Sequence, residues 1–140
     1  MGHDALELEP QLAAASAARR HVRLLLDDWG LDALVEPVLL LTSELVTNAV
    51  LHSGTAIVLR VRREGAGVRI GVEDGSSVPP VRRRRSTNAT TGRGIALLEQ
   101  VSSTWGWEPV GTGKRVWFTV LSDRRWEAAL DVDGLAEAEW

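Results

Sequence analysis

The chain of 140 residues contains no cysteine, so it has neither a disulfide framework nor a thiolate metal site. It also lacks a strong excess of one charge: a net charge of −3 gives no overall bias towards nucleic acid or an anionic membrane. No apolar run approaches the ~20 residues that span a bilayer, and the acidic N-terminus has no signal-peptide core. We therefore expect a single cytoplasmic domain with its own hydrophobic core.

Lysine is almost missing as well. Lys114 is the single lysine, and the rest of the sixteen basic side chains are arginine. Together with abundant alanine, this bias is typical of GC-rich coding, and we assign it no function. The remaining composition is ordinary for a soluble globular domain, so any function must be sought in local motifs.

Hydrophobic periodicity divides the chain into helices, strands and loops. Residues 1–9 are predicted to be a loose N-terminus, and residues 122–140 a short helix with an acidic tail. Between them we expect two helices over residues 10–29 and 37–52 and a hairpin over 55–72. A long loop over 74–91, a third helix over 94–101 and a second hairpin over 104–121 are expected to follow. Because hairpins dominate, the predicted fold class is α+β: a two-layer sandwich with a mixed, mostly antiparallel sheet and helices on one face.

The most informative stretch is Leu41–Ser53, most of which lies in the second predicted helix, is apolar on nearly every side and is therefore predicted to be buried. Glu44 and Asn48 lie one helical turn apart on it and share a face. Buried polar groups need partners. Two interpretations are open: the two side chains bind a ligand or metal, or they form a structural pair that caps neighbouring loops. His52 continues the stripe, but at a helix C-terminus its charge favours the dipole, so we leave it out of the catalytic set.

Two further motifs follow in the chain. Asp74 and Gly75 end an apolar strand, where a carboxylate can accept a hydrogen bond from a donor such as an adenine amino group; the alternative is an ordinary turn-forming aspartate. Gly92, Arg93 and Gly94 then open a helix, so that bare backbone N–H groups at its N-terminus form a potential anion site.

In this order the motifs resemble those of the GHKL (Bergerat-fold) ATP-binding family, which includes gyrase, histidine kinases and mismatch-repair ATPases. Within that family the chain is most similar to the stand-alone anti-sigma-factor serine kinases of bacteria, the RsbW type. The resemblance covers residues 10–121 and rests on ARRHVRLLLDDWGL, LLTSELVTNAVLHS, VEDGSSVPP, TGRGIALLEQVSSTWGW and GKRVWFTV. It implies a histidine-kinase-like ATPase domain over those residues, with ATP and Mg²⁺ as cofactors.

The resemblance also implies roles for individual residues. Glu44 would be the general base that orients or deprotonates the attacking hydroxyl. Asn48 would coordinate Mg²⁺ that bridges the nucleotide phosphates, and Asp74 would hold the adenine amino group. The complete expected nucleotide-binding set is Asn48, Asp74, Gly75, Gly92, Arg93 and Gly94, with residues 75–91 as a lid.

One position departs from the family pattern. Many members have Asp-x-Gly-x-Gly after the adenine-binding strand, whereas this chain has Asp74-Gly75-Ser76-Ser77. This shortened form is common in the anti-sigma subgroup, and it leaves both a kinase and a non-hydrolysing ATP-binding protein open.

Three functions are therefore compared. The first is an ATP-dependent serine/threonine kinase that phosphorylates a STAS anti-anti-sigma protein and sequesters a sigma factor. The second is a nucleotide-responsive binding module without kinase turnover, and the third is a scaffold whose nucleotide motifs have decayed. Arg19 and Arg20 on the first helix are expected partner contacts, with ordinary surface charge as the alternative. We expect no direct nucleic-acid or membrane binding, and a homodimer remains open.

Other conspicuous segments are predicted to be structural. Gly111–Lys114 fails as a P-loop because Arg115 stands where the motif requires Ser or Thr, so it is expected to be a hairpin turn. Arg82–Arg85 is predicted to be a solvated loop, since no aromatic residue interrupts the run. Three tryptophans in predicted strands are expected to pack in the core or at an edge: Trp105, Trp107 and Trp117.

Overall fold

A computed structural model describes residues 2–80, 98–99 and 101–121 of the chain. This part contains two α-helices and five β-strands: β1 His3–Leu8, α1 Ala13–Asp28, α2 Val35–His52, β2 Ile57–Glu64, β3 Gly67–Asp74, β4 Thr104–Val110 and β5 Gly113–Leu121. A 3-10 turn at Asp32–Leu34 leads into α2. The bounds of both helices and both hairpins agree with the sequence predictions to within about three residues, an ordinary uncertainty for element ends.

The strands form one sheet in the order β1-β2-β3-β5-β4. Every neighbouring pair in this sheet is antiparallel. The apolar residues of β2, β3 and β5 alternate with polar ones, which places one apolar face against α1 and α2. We call this the inner face. The predicted α+β two-layer architecture is therefore confirmed.

The core lies between the inner face and the two helices. Leu59, Ile70 and Phe118 are fully buried on adjacent strands. They face a helical layer that is equally buried, formed by Ala18, Val22, Leu26, Val38, Leu41 and Leu45. Full burial of a large apolar side chain contributes about 1.5–3 kcal/mol, so this shared core fixes the helices on the sheet.

The N-terminal prediction is wrong. Residues 1–9 were expected to be loose, but His3–Leu8 forms β1 at an edge of the sheet and pairs with β2. Leu6 lies opposite Leu59 and partly covers the core. The alternation of apolar and polar residues over six positions is too short to be recognised from the sequence. The segment becomes a strand by pairing with the edge of β2, which exists only in the folded protein.

The helix α2 is less completely buried than its composition suggested. Leu40 and Leu51 are 42% and 49% exposed to solvent, because they lie on the side of α2 that faces away from the core. The expectation that no apolar run approaches the length of a membrane span is wrong, since by length and composition alone Asp32–His52 is long and apolar enough to cross a bilayer. In the fold it is the central core helix, which satisfies the same criterion without any membrane.

Some predictions fall on residues outside the described ranges. These are most of the expected lid, the arginine run, the Gly92–Gly94 turn and the C-terminal segment 122–140. Leu98 and Glu99, near the end of the predicted third helix, are described and helical. Leu98 is fully buried in the core, so this part of the chain joins the same domain.

The face of the sheet opposite α1 and α2 carries a chain of ion pairs. We call it the outer face. Glu73 on β3 accepts from Arg60 on β2 and from Arg115 on β5, each at 2.6 Å. Arg115 also donates to Glu108 on β4 at 2.6 Å. This Arg–Glu ladder joins four strands side by side, as opposite charges on neighbouring strands do.

Trp117 lies on the same outer face and has a packing role, as predicted. The Arg69 guanidinium stacks over its ring at 4.7 Å from the centroid, a cation–π contact. Gly106 lies directly opposite on β4. A Cβ there would come within 2.8 Å of the indole, so a glycine is needed for the ring to cover the neighbouring strand.

Candidate functional site

The two polar residues of α2 keep the positions that the sequence predicted. Glu44 is buried, with 7% of its surface exposed, and Asn48 follows one turn later, half-buried. Asn48 Oδ1 is inaccessible to solvent and accepts no hydrogen bond within the described structure. An unsatisfied buried carbonyl oxygen costs about 1–3 kcal/mol, so native structures that retain one call for an explanation such as an ion or ligand.

Asp74 ends β3 on the inner face. Its side chain is only 5% exposed and lies directly opposite Lys114, the second residue of β5. The Lys114 ammonium contacts both Asp74 oxygens at 3.1 Å, and the backbone N–H of Ser76 donates to Oδ1 at 2.9 Å. The carboxylate that was predicted to hold adenine therefore has a fixed orientation in the protein.

Lys114 is a partner of a predicted site residue, and the sequence analysis missed it. It was assigned to compositional bias and to a hairpin, yet it forms the only described ion pair of Asp74. The two residues are 40 positions apart, and only the register of β3 against β5 brings them together. Its status as the single lysine in an arginine-rich chain was the available signal.

Glycines allow the strand ends around Asp74 to approach closely. A Cβ on Gly113 would lie 1.9 Å from the carbonyl oxygen of Asp74, which is an impossible contact. A Cβ on Gly75 would lie 3.1 Å from the Thr55 side chain, which is tight. This packing gives a structural reason for a glycine at position 75, whereas its contact with a nucleotide stays a prediction.

A short relay of hydrogen bonds joins the end of α2 to the end of β3. Ser53 Oγ donates to the carbonyl oxygen of Ala49 at 2.8 Å and contacts Thr55 Oγ1 at 3.1 Å. Thr55 Oγ1 in turn accepts the backbone N–H of Gly75 at 2.7 Å. The relay ties the helical turn that carries Asn48 to the strand end that carries Asp74.

The remaining predicted residues divide into two groups. Gly92, Arg93 and Gly94 lie outside the described residues, so their phosphate-binding role stays a prediction. Arg19 and Arg20 are both exposed on α1. Arg19 donates to Ser43 Oγ at 2.8 Å, next to Glu44 on α2. His52, which was left out of the catalytic set, is exposed at the end of α2.

The donor set at α2 fits one kind of metal site. The described residues contain no cluster of three or more His, Asp or Glu side chains that could enclose a metal. Mg²⁺ does not need such a cage, because it keeps several waters and uses one or two protein oxygens together with substrate phosphates. The orphaned side-chain oxygen of Asn48, one of the buried oxygens without a hydrogen bond in the described residues, fits this mode of binding.

No protein-family profile and no curated protein matches the chain. Among solved structures it is similar to the RsbU and RsbW domains of Rv1364c from Mycobacterium tuberculosis, with a TM-score of 0.66 and 22% identity over 86% of this chain. The chain spans about a third of that structure, 32% of its length. A second similarity is to the catalytic domain of the histidine kinase ThkA, with 16% identity over 84% of this chain and 95% of that one. The TM-score of that similarity is 0.47.

At 22% identity the first likeness establishes a common fold. The chain therefore shares its fold with part of that structure, which contains an RsbW domain, the type that its motifs resemble. Fold alone does not establish activity, so the chemistry must be argued from the site.

Proposed function

We propose that the chain binds Mg²⁺-ATP at the junction of α2 and the end of β3. The observation that carries this proposal is the buried, unpartnered oxygen of Asn48. It lies on the helix that the Ser53–Thr55 relay ties to the Asp74 strand end. The helix α2 thus offers an oxygen ligand for Mg²⁺ bound to the phosphates, and the end of β3 offers a fixed carboxylate for the adenine base.

We further propose that the bound nucleotide serves a serine/threonine kinase of the anti-sigma type. The substrate would be a hydroxyl on a STAS anti-anti-sigma protein, and the same chain would sequester a sigma factor. The substrate oxygen attacks the γ-phosphorus, the bond to the ADP oxygen breaks, and the hydroxyl proton passes to the Glu44 carboxylate. Asn48 Oδ1 would be the protein ligand of Mg²⁺, which would supply neutralisation of phosphate charge.

Support for the regulatory role comes from the geometry of α1 and α2. Exposed Arg19 is hydrogen-bonded to Ser43, the residue next to Glu44. A protein bound across Arg19 and Arg20 would therefore lie beside the proposed catalytic base. The expected partner contacts and the expected chemistry lie on adjacent helices, as a kinase for a protein substrate requires.

Binding is tested first, by calorimetry with ATP in Mg²⁺ and in EDTA. Asn48→Ala is expected to remove the Mg²⁺-dependent part of the affinity, and Asn48→Asp, which keeps an oxygen ligand, to retain part of it. Thr47→Ala, at the neighbouring half-buried position, is the control. Failure of the wild-type protein to bind ATP at millimolar concentration would contradict the proposal and favour the scaffold.

Turnover is tested with labelled ATP, Mg²⁺ and candidate STAS proteins. Glu44→Gln keeps the shape of the side chain but accepts no proton, and is expected to lower phosphotransfer by at least about 100-fold. Glu36→Gln, on an exposed turn of the same helix, should leave it unchanged. ATP binding without phosphate transfer to any partner would instead identify a nucleotide-responsive binding module.

A further inference from the structure

We propose that Lys114 is a specificity residue that contacts N1 of the adenine ring, while Asp74 accepts a hydrogen bond from the 6-amino group. This inference rests on the proposed binding of ATP and extends it to a residue outside the predicted site. The starting observation is the ion pair of the two side chains, which lie opposite each other in the register of β3 and β5.

The acceptor side of the pair has one position left. A carboxylate oxygen has two lone pairs. In the described structure, Asp74 Oδ1 accepts from the Ser76 N–H and from Lys114. Asp74 Oδ2 accepts from Lys114 alone. Oδ1 is therefore fully used, and Oδ2 retains one lone pair for a ligand.

The donor side also has one position left. An ammonium group carries three N–H donors, and Lys114 directs two contacts to Asp74. A third N–H therefore remains for another acceptor. The side chains of Lys114 and Asp74 are only 10% and 5% exposed, so water competes weakly with a ligand that contacts them.

A single acceptor beside a single donor matches the edge of adenine. Adenine presents one N–H donor, from its 6-amino group, next to one acceptor, N1. Guanine presents its O6 acceptor beside two neighbouring donors, its ring N–H and 2-amino group, so that Lys114 could meet O6 but the two donors would need two acceptors from Asp74. Because the Ser76 N–H and Lys114 occupy both lone pairs of Oδ1, one guanine donor would stay unsatisfied, which sites of this kind reject.

The test compares ATP with 1-deaza-ATP, in which N1 is replaced by a C–H group. The wild-type protein is expected to bind ATP about tenfold or more tightly than 1-deaza-ATP, since a hydrogen bond from a charged donor is lost. Lys114→Met is expected to bind both ligands equally. Lys114→Arg, which keeps a donor, should retain part of the discrimination. Calorimetry in the presence of Mg²⁺ measures all of these affinities.

Two controls separate this role from a structural one. Arg23→Met removes a positive charge from an exposed position of α1 and should preserve the full ratio between the two ligands. Thermal unfolding reports whether each variant is folded. If Lys114→Met does not fold, the ratio of the wild-type affinities for ATP and 1-deaza-ATP still tests the proposal. Stability alone cannot change a ratio between two ligands measured on the same folded protein.

The outcomes are distinct. Equal binding of ATP and 1-deaza-ATP by the wild-type protein would overturn the assignment of Lys114 while leaving ATP binding intact. Unchanged discrimination in Lys114→Met would do the same. Tighter ATP binding by Lys114→Met would mean that the lysine competes with the base for Asp74, which also overturns the proposal. Absence of ATP binding to the wild-type protein would reject the proposed function itself.

Discussion

Two consecutive ion pairs join β3 to β5, one on each face of the sheet. Glu73 pairs with Arg115 on the outer face, and the next residue, Asp74, pairs with Lys114 on the inner face. Both pairs are directly opposed in the strand register, and both are largely buried. They face opposite ways only because successive side chains of a strand alternate.

The two pairs differ in what surrounds them. Glu73 is held by guanidinium groups from both neighbouring strands and belongs to a ladder that continues to Glu108. Asp74 has one cationic partner, and it lies where the strand ends at Gly75, beside the relay to α2. The outer pair is a repeated cross-strand contact, whereas the inner pair ends the sheet with hydrogen-bonding capacity to spare. We infer that the first stabilises the sheet and that the second binds a ligand.

The largest predicted loss of stability is that of Gly113→Ala, at the point where β5 approaches the end of β3. In Gly113→Ala the new Cβ would meet the Asp74 carbonyl oxygen at 1.9 Å, so β3 and β5 must separate beside both ion pairs. We expect a loss of about 3 kcal/mol in the free energy of unfolding, measured by urea denaturation. Gly111→Ala is the control: it has φ of +59° but nothing within 4 Å, and should cost only about 1 kcal/mol.

The second prediction compares the two cations directly. Lys114→Met leaves the buried Asp74 carboxylate without its ammonium partner, and is expected to lower the free energy of unfolding by about 3 kcal/mol at most. Arg115→Met leaves Glu73 paired with Arg60, so no carboxylate loses its last cationic partner on β3, and a loss of about 1 kcal/mol is expected. If urea denaturation gave equal losses of unfolding free energy for the two variants, Asp74 would depend on its cation no more than Glu73 does, and the comparison would fail.

The smallest effect on stability is predicted for the relay. Thr55→Val removes the acceptor of the Gly75 N–H and should cost about 1 kcal/mol, together with a measurable loss of ATP affinity. Thr104→Val removes a comparable hydroxyl contact on the outer face, to Thr119 at 2.6 Å, and should cost as much stability without changing affinity. If both variants weakened ATP binding equally, the proposed division between the two faces would fail.

Sequence reasoning recovered most of the fold because its signals are local. Helix periodicity and strand alternation depend on neighbours within a few residues, so α2 and both hairpins were predicted close to their observed bounds. The order of three weak motifs predicted a resemblance to the RsbW type, and the chain shares its fold with a solved structure that contains an RsbW domain. β1 was missed because six residues of mild alternation become a strand only when an edge such as that of β2 is available.

The candidate site was predicted in part for the same reason. Glu44 and Asn48 share a face of one helix, which spacing alone decides, and Asp74 follows an obvious strand. Lys114 could not be found this way, because its partner lies 40 residues away. The relay through Ser53 and Thr55 was also missed, since both residues look like ordinary turn formers beside Gly54.

By itself, the sequence determined which segments are helices and strands, which faces are apolar, and that a carboxylate and an amide lie one turn apart on α2. Only the tertiary structure decided that β1 completes the sheet, that Glu73 and Asp74 have different partners on opposite faces, and that Lys114 pairs with Asp74. The physical reason is the range of the interactions. Periodicity is set by the local geometry of the backbone, whereas strand register and burial depend on contacts between segments that are distant in the chain.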